Sequence, residues 1–219
     1  MENENPTELS LREPHSLAIR IWHWLSYFSI SGLLMTVLAS SYLFGTKKNI
    51  AFVLNQAKES GVTMNSTQAK DLAHAYNDKI WYWHGNIGIV LSILFLFRIV
   101  VEIFLSKEEK FIGRLKKGLK SWNHQGIGHG TKHYVRVKFI YLVFYAILLV
   151  VVSTGLMLYF ADDNKLLHQM EHNIKQVHNF CMYLVLGFIV VHLGGLIIAE
   201  NTNLQGVVSD MINGGKKKN

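Results

Sequence analysis

Four apolar runs, each long enough to cross a lipid bilayer, limit what this chain can become. They cover residues 17–44, 80–105, 139–160 and 173–199, with lengths of 28, 26, 22 and 27 residues. About 20 apolar residues in helical form span the hydrocarbon core. No water is available in that core, so the backbone is satisfied only by the internal hydrogen bonds of a helix or by a closed barrel, and runs of this length read as helices. The expected fold is an all-α membrane protein, a four-transmembrane-helix bundle occupying residues 17–199. A polar head, residues 1–16, precedes it, and a polar tail, residues 200–219, follows with a short surface helix expected over residues 204–212.

The polar connections orient the bundle. Residues 106–138 carry nine basic side chains and the tail adds Lys216, Lys217 and Lys218, whereas residues 161–173 carry only Lys165. Basic loops stay in the cytoplasm, so the 106–138 loop is cytoplasmic and, with an even number of spans, so are both termini. The first loop, residues 45–79, holds five lysines against that rule, but the span order leaves it outside. Its STQAKDLAHAYNDK portion reads as helical and lying at the surface. The net charge of +7 therefore reports membrane topology, and no nucleic-acid partner is expected. The head lacks a basic stretch followed by a short apolar core, so no cleaved signal is expected. A single cysteine, Cys181, excludes an internal disulfide and any multi-cysteine metal site. On the fourth span it reads as a small buried hydrophobe.

Histidine placement carries the chemistry. His178 and His192 lie on the fourth span, fourteen residues apart. That spacing is roughly 21 Å along a helix and about 40° in azimuth, so both rings look from nearly one face. His23 opens the first span between Trp22 and Trp24, and His84 opens the second behind Trp81, Tyr82 and Trp83. Matching depths gives two pairs, His84 with His178 towards the outside and His23 with His192 towards the cytoplasm. A polar ring at membrane depth is costly without a partner. One such histidine is most simply an interfacial residue; two matched pairs are not. Facing imidazoles with no carboxylate or cysteine beside them suit six-coordinate haem iron better than zinc. The bundle is thus expected to enclose two b haems, with all four histidines as axial ligands.

Small residues Gly88, Ser92, Gly187, Gly194 and Gly195 leave room beside these positions, although they are also ordinary at helix contacts. Arg98, deeper in the second span, reads as a structural group or a haem-propionate partner. His74, His168 and His172, and in the basic loop His124, His129 and His133, read as solvated. His168 and His172 have helical spacing, but no third ligand lies near them in sequence.

Several segments together resemble one family. They are Arg20-Ile21-Trp22-His23-Trp24, the aromatic-led His84 with Arg98 later in the same span, Ser153-Thr154-Gly155, the His178/His192 spacing, and a tail beginning AENTNLQGVVSDMINGG. The chain from about Ser16 onward is similar to the b-type cytochrome subunit of membrane-bound nickel–iron hydrogenases. The wider superfamily includes bacterial cytochrome b561 and the cytochrome subunits of formate dehydrogenase and thiosulfate reductase.

The resemblance implies a multi-pass protein of the bacterial inner membrane that anchors an outward-facing iron–sulfur subunit. Electrons would pass from that subunit through the outer and then the inner haem to quinone. Such a subunit works within an oxidoreductase complex rather than as an enzyme by itself. The resemblance also points to His129 as a quinone-site residue, because the family's cytoplasmic loop carries Gly-His-Asn-Pro; Gly128-His129 matches, and Gly130-Thr131 departs. A stand-alone dihaem cytochrome b561-type quinone oxidoreductase handling a small oxidant such as superoxide would share the four helices and histidines. The long outer loop, basic loop and extended tail favour docking to a partner. A non-redox membrane anchor is the third possibility, and the matched histidines argue against it.

Overall fold

The computed structural model describes residues 16–43, 45–104, 113, 129–201 and 211–212. Among them the chain is helical throughout, without strands. Helix α1 covers Leu17–Leu38 and continues as a π-helical turn, Ala39–Leu43. A short helix α2, Thr46–Glu59, follows. Then come three long helices: α3, Ser66–Phe104; α4, His129–Tyr159; and α5, Lys165–Glu200. Both prolines of the sequence precede residue 15, so none interrupts these helices. Among the described residues four segments are long and apolar enough to cross a membrane: Leu17–Leu43, Ser66–Phe104, Arg136–Tyr159 and Lys165–Glu200.

Two helices start earlier than hydropathy predicts. α3 includes the polar STQAKDLAHAYNDK segment in one continuous helix with the second span, and α5 begins eight residues before the apolar run. The cause lies in the caps. Asn65 Oδ1 accepts from Gln68 N at 2.9 Å while Gln68 Oε1 accepts from Asn65 N at 3.0 Å. This reciprocal capping box satisfies two otherwise orphaned donors and sets the first turn at Ser66. Asn164 does similar work for α5, accepting from Leu166 N at 3.0 Å and Leu167 N at 3.3 Å. At ~1.5 Å per residue, α3 and α5 are each more than 50 Å long, well beyond a hydrocarbon core of ~30 Å. Their polar N-terminal turns therefore stand clear of the lipid.

Packing divides the chain into two units. One comprises Leu25–Ile93, with most of α1, all of α2 and the first part of α3. Within it Leu91, Ala69 and Ala73 are buried, and a Cβ at Gly32 would lie 3.5 Å from Ile87 Cδ1, so α1 and α3 approach closely there. The other comprises the chain to Trp24 together with Leu94–Asn219. Its core holds Trp22, Phe95, Leu148, Ile174, Cys181 and Val185, and α4 packs along α5. Cys181 is buried as expected, with a free thiol. Outward faces are apolar and bare: Phe28, Met35, Ile93, Leu96, Ile103, Phe180, Val190 and Ile198 are all exposed. Surfaces of this size are untenable in water and suit lipid.

Candidate functional site

The Arg20–Trp24 segment is held residue by residue. Arg20 donates to the Ile212 carbonyl at 2.8 Å and Trp24 Nε1 to the Met211 carbonyl at 3.3 Å. Trp22 Nε1 donates to the Leu94 carbonyl at 2.8 Å. Three side chains thus tie the start of α1 to other parts of its own unit, and His23 is carried between them.

Across from His23 stands His192. Their ring centroids are 6.4 Å apart, with planes inclined at 56°. Two imidazoles sharing one metal from opposite sides, with bonds of ~2 Å, would have ring centres roughly 6 Å apart. The remaining wall is aromatic. Phe188, one turn before His192 on α5, stacks on it at 5.6 Å and 9°, and Phe144 stacks on Phe188 at 4.0 Å and 18°. Tyr141 closes the side at 6.3 Å from His192, and Trp24 meets His23 edge-on at 5.5 Å. His23 Nδ1 is buried without a hydrogen-bond partner among the described residues.

Beside this cluster lies Arg98, only 9% exposed. Its guanidinium sits over Trp22 at 5.8 Å and over Tyr145 at 5.6 Å, and its terminal nitrogen meets Glu102 Oε2 at 2.8 Å. A buried charge needs such a counter-charge, and one helical turn of separation supplies it within α3. Arg98 Nε remains buried and without a hydrogen-bond partner among the described residues.

The other two histidines are supported differently. In the 25–93 unit, His84 Nδ1 lies 2.8 Å from Thr36 Oγ1, and that hydroxyl donates to the Leu33 carbonyl at 2.6 Å. Trp81 meets the ring edge-on at 5.2 Å. In the other unit, His178 Nδ1 lies 3.0 Å from Thr154 Oγ1, which donates to the Val150 carbonyl at 2.7 Å. A Cβ at Gly155 would come within 3.2 Å of His178 Cε1, so the glycine lets the ring lie against α4.

Of the residues singled out from sequence, His23 and His192 are brought together, and Arg98 is set against Trp22 and Tyr145. His84 and His178 belong to separate packing units. His129 begins α4, and its side chain lies outside the described residues, as do those of His124 and His133. His74, His168 and His172 are exposed; His168 stands 3.6 Å from Glu171. No cluster of three or more metal-ligating side chains occurs among the described residues. Cβ atoms at Gly88, Gly187, Gly194 and Gly195 would meet nothing within 4 Å, which leaves open space beside both histidine-bearing faces. Sequence reasoning missed Thr36, Glu102, Tyr141, Phe144 and Phe188. Phe188 and Glu102 were reachable, being four residues from His192 and Arg98; the others sit on different helices from the groups they touch.

A family model described as prokaryotic cytochrome b561 matches residues 14–214. Its short name refers to the cytochrome b of nickel hydrogenases. No curated protein and no solved structure matches the chain.

Proposed function

From the premise that the chain belongs to the prokaryotic cytochrome b561 family, we propose that it is a dihaem electron-transfer subunit anchoring an outward-facing, hydrogenase-type oxidoreductase. Family membership makes it a multi-pass bacterial membrane b-type cytochrome that binds haem b and acts in electron transfer. The finer reading assigns His23 with His192 to one haem and His84 with His178 to the other. The observation that carries it is the 6.4 Å spacing of the His23 and His192 rings inside an aromatic wall. The pairing of His84 with His178 rests on their matched depths along the second and fourth spans.

The donor set fits the group. All four side chains are imidazole nitrogen donors, and Gly155 lets the His178 ring lie against its helix. A haem held by two histidines would supply a one-electron carrier suited to electron transfer rather than oxygen chemistry. Around His23 and His192, Phe144, Phe188 and Tyr141 exclude water and hold the His192 plane. Arg98 Nε, a buried donor without a hydrogen-bond partner among the described residues, would serve a haem propionate.

In this reading electrons arrive from an iron–sulfur subunit at the His84 and His178 end and leave to quinone at the cytoplasmic end of the bundle. The long polar turns of α3 and α5 offer the partner its footing, and the family's short name supports a hydrogenase as that partner. His129 is assigned to quinone protonation, and an unchanged quinone-reduction rate in His129→Ala would remove it.

A pyridine haemochrome assay on the detergent-purified chain tests the core of the proposal. About two haems b per chain are expected, falling towards one in His84→Ala and in His192→Ala. Well-folded protein without haem overturns the reading. Hydrogen-dependent reduction of the cytochrome in native membranes tests the partner, and its absence while other donors reduce the haem would exclude a hydrogenase.

A further inference from the structure

Thr36 and Thr154 stand in the same relation to two different histidines, in two separately packed units. Each hydroxyl lies in hydrogen-bond reach of an imidazole Nδ1, at 2.8 Å for His84 and 3.0 Å for His178. Each also donates to a carbonyl of its own helix, Leu33 at 2.6 Å and Val150 at 2.7 Å. A hydroxyl has one proton. With that proton spent on the helix carbonyl, the oxygen can only accept from the ring, so Nδ1 carries the hydrogen. The consequence in both places is one tautomer, with the lone pair on Nε2.

The other pair has no such support. Among the described residues His23 Nδ1 has no partner, and His192 is held by ring stacking on Phe188 rather than by a hydrogen bond. We propose that Thr36 and Thr154 are positioning residues that lock His84 and His178 for ligation through Nε2, and that this one-sided hydroxyl support sets the two centres apart in potential. The inference rests on the haem-ligand reading above. A hydrogen bond accepted from Nδ1–H makes the imidazole a more basic ligand and favours oxidised iron. The His84/His178 centre is therefore the lower in potential. His23 and His192, without that bond and walled by aromatic rings, make the higher one. Electrons entering beside His84 and His178 then run downhill towards His23 and His192.

The test is a redox titration of the full chain in detergent, followed by haem absorbance and low-temperature electron paramagnetic resonance, with haem content measured alongside. Thr36→Val and Thr154→Val keep the side-chain shape and remove the hydroxyl; Thr36→Ser and Thr154→Ser keep the hydroxyl. Each valine variant is expected to move the lower midpoint upward and to alter the resonance of that haem alone, with the serine variants matching wild type. If a valine variant loses one haem, serine variants that retain both at wild-type potentials support the assignment, and serine variants that lose it too overturn it. Unmoved midpoints in haem-replete valine variants, or equal shifts of both haems, also overturn it. Wild-type protein with fewer than two haems refutes the dihaem reading itself, a separate outcome.

Discussion

His84 and His178 are held by hydroxyl oxygens, whereas His23 and His192 are held by aromatic rings. The two kinds of support do different physical work. A hydroxyl bond at Nδ1 fixes which nitrogen carries the proton and feeds electron density to the ligand. Stacking fixes the plane of a ring and keeps water away, but leaves the tautomer to whatever else the ring meets. One chain can therefore place four histidines in two unlike settings, and on the proposed ligand reading unlike settings are what directional electron transfer needs.

The comparison can be broken at several points. The largest effect is expected where ligation itself is removed. If His23 and His192 serve one centre, the double variant His23→Ala/His192→Ala retains about one haem per chain, no fewer than either single variant, because the two residues act as one unit. Haem content falling to zero in the double variant would dissolve the pairing.

Next comes the buried charge beside the aromatic wall. Arg98→Ala removes a buried cation together with its ion pair to Glu102 and its contacts with Trp22 and Tyr145, and is expected to cost on the order of 3 kcal/mol, read from thermal unfolding in detergent. Replacing both partners, as in Arg98→Met/Glu102→Leu, is expected to recover much of that loss. A double variant as unstable as the single one would mean that Arg98 acts mainly through Trp22 and Tyr145.

Gly155→Ala probes the other kind of support. The added methyl would stand 3.2 Å from His178 Cε1, so the ring or α4 must shift, at a cost of about 1–3 kcal/mol. The electron paramagnetic resonance signal of one haem is expected to change while the other is untouched. The smallest effect is expected for Phe188→Leu, which forfeits the stacks with His192 and Phe144, worth about 0.5–1.5 kcal/mol each. It should alter only the haem that Gly155→Ala leaves alone. Both variants acting on the same haem would erase the distinction between the two regions.

Much of this protein was legible before any coordinates. Four spans and their all-helical character follow from run length and from the cost of unpaired backbone groups in lipid, both properties of the chain itself. The family resemblance stood on the Arg20–Trp24 segment, and the structure gives that segment its reasons: Arg20, Trp22 and Trp24 each bond a carbonyl distant in sequence. The capping box at Asn65 and Gln68 was also readable, but an apolar window sees only where hydropathy rises and not where a helix nucleates.

Tertiary structure alone decided the neighbours of each ring. Thr36 is 48 residues from His84, and Thr154 is 24 residues from His178. In an apolar run a lone threonine bonds its own helix equally well whether or not a histidine from another helix lies beside it. Which hydroxyl meets which imidazole depends on how the helices rotate and slide against one another, and that is set by packing summed over whole faces. Local pattern determined the helices and marked the four histidines; the surroundings of each ring were settled only when the helices packed.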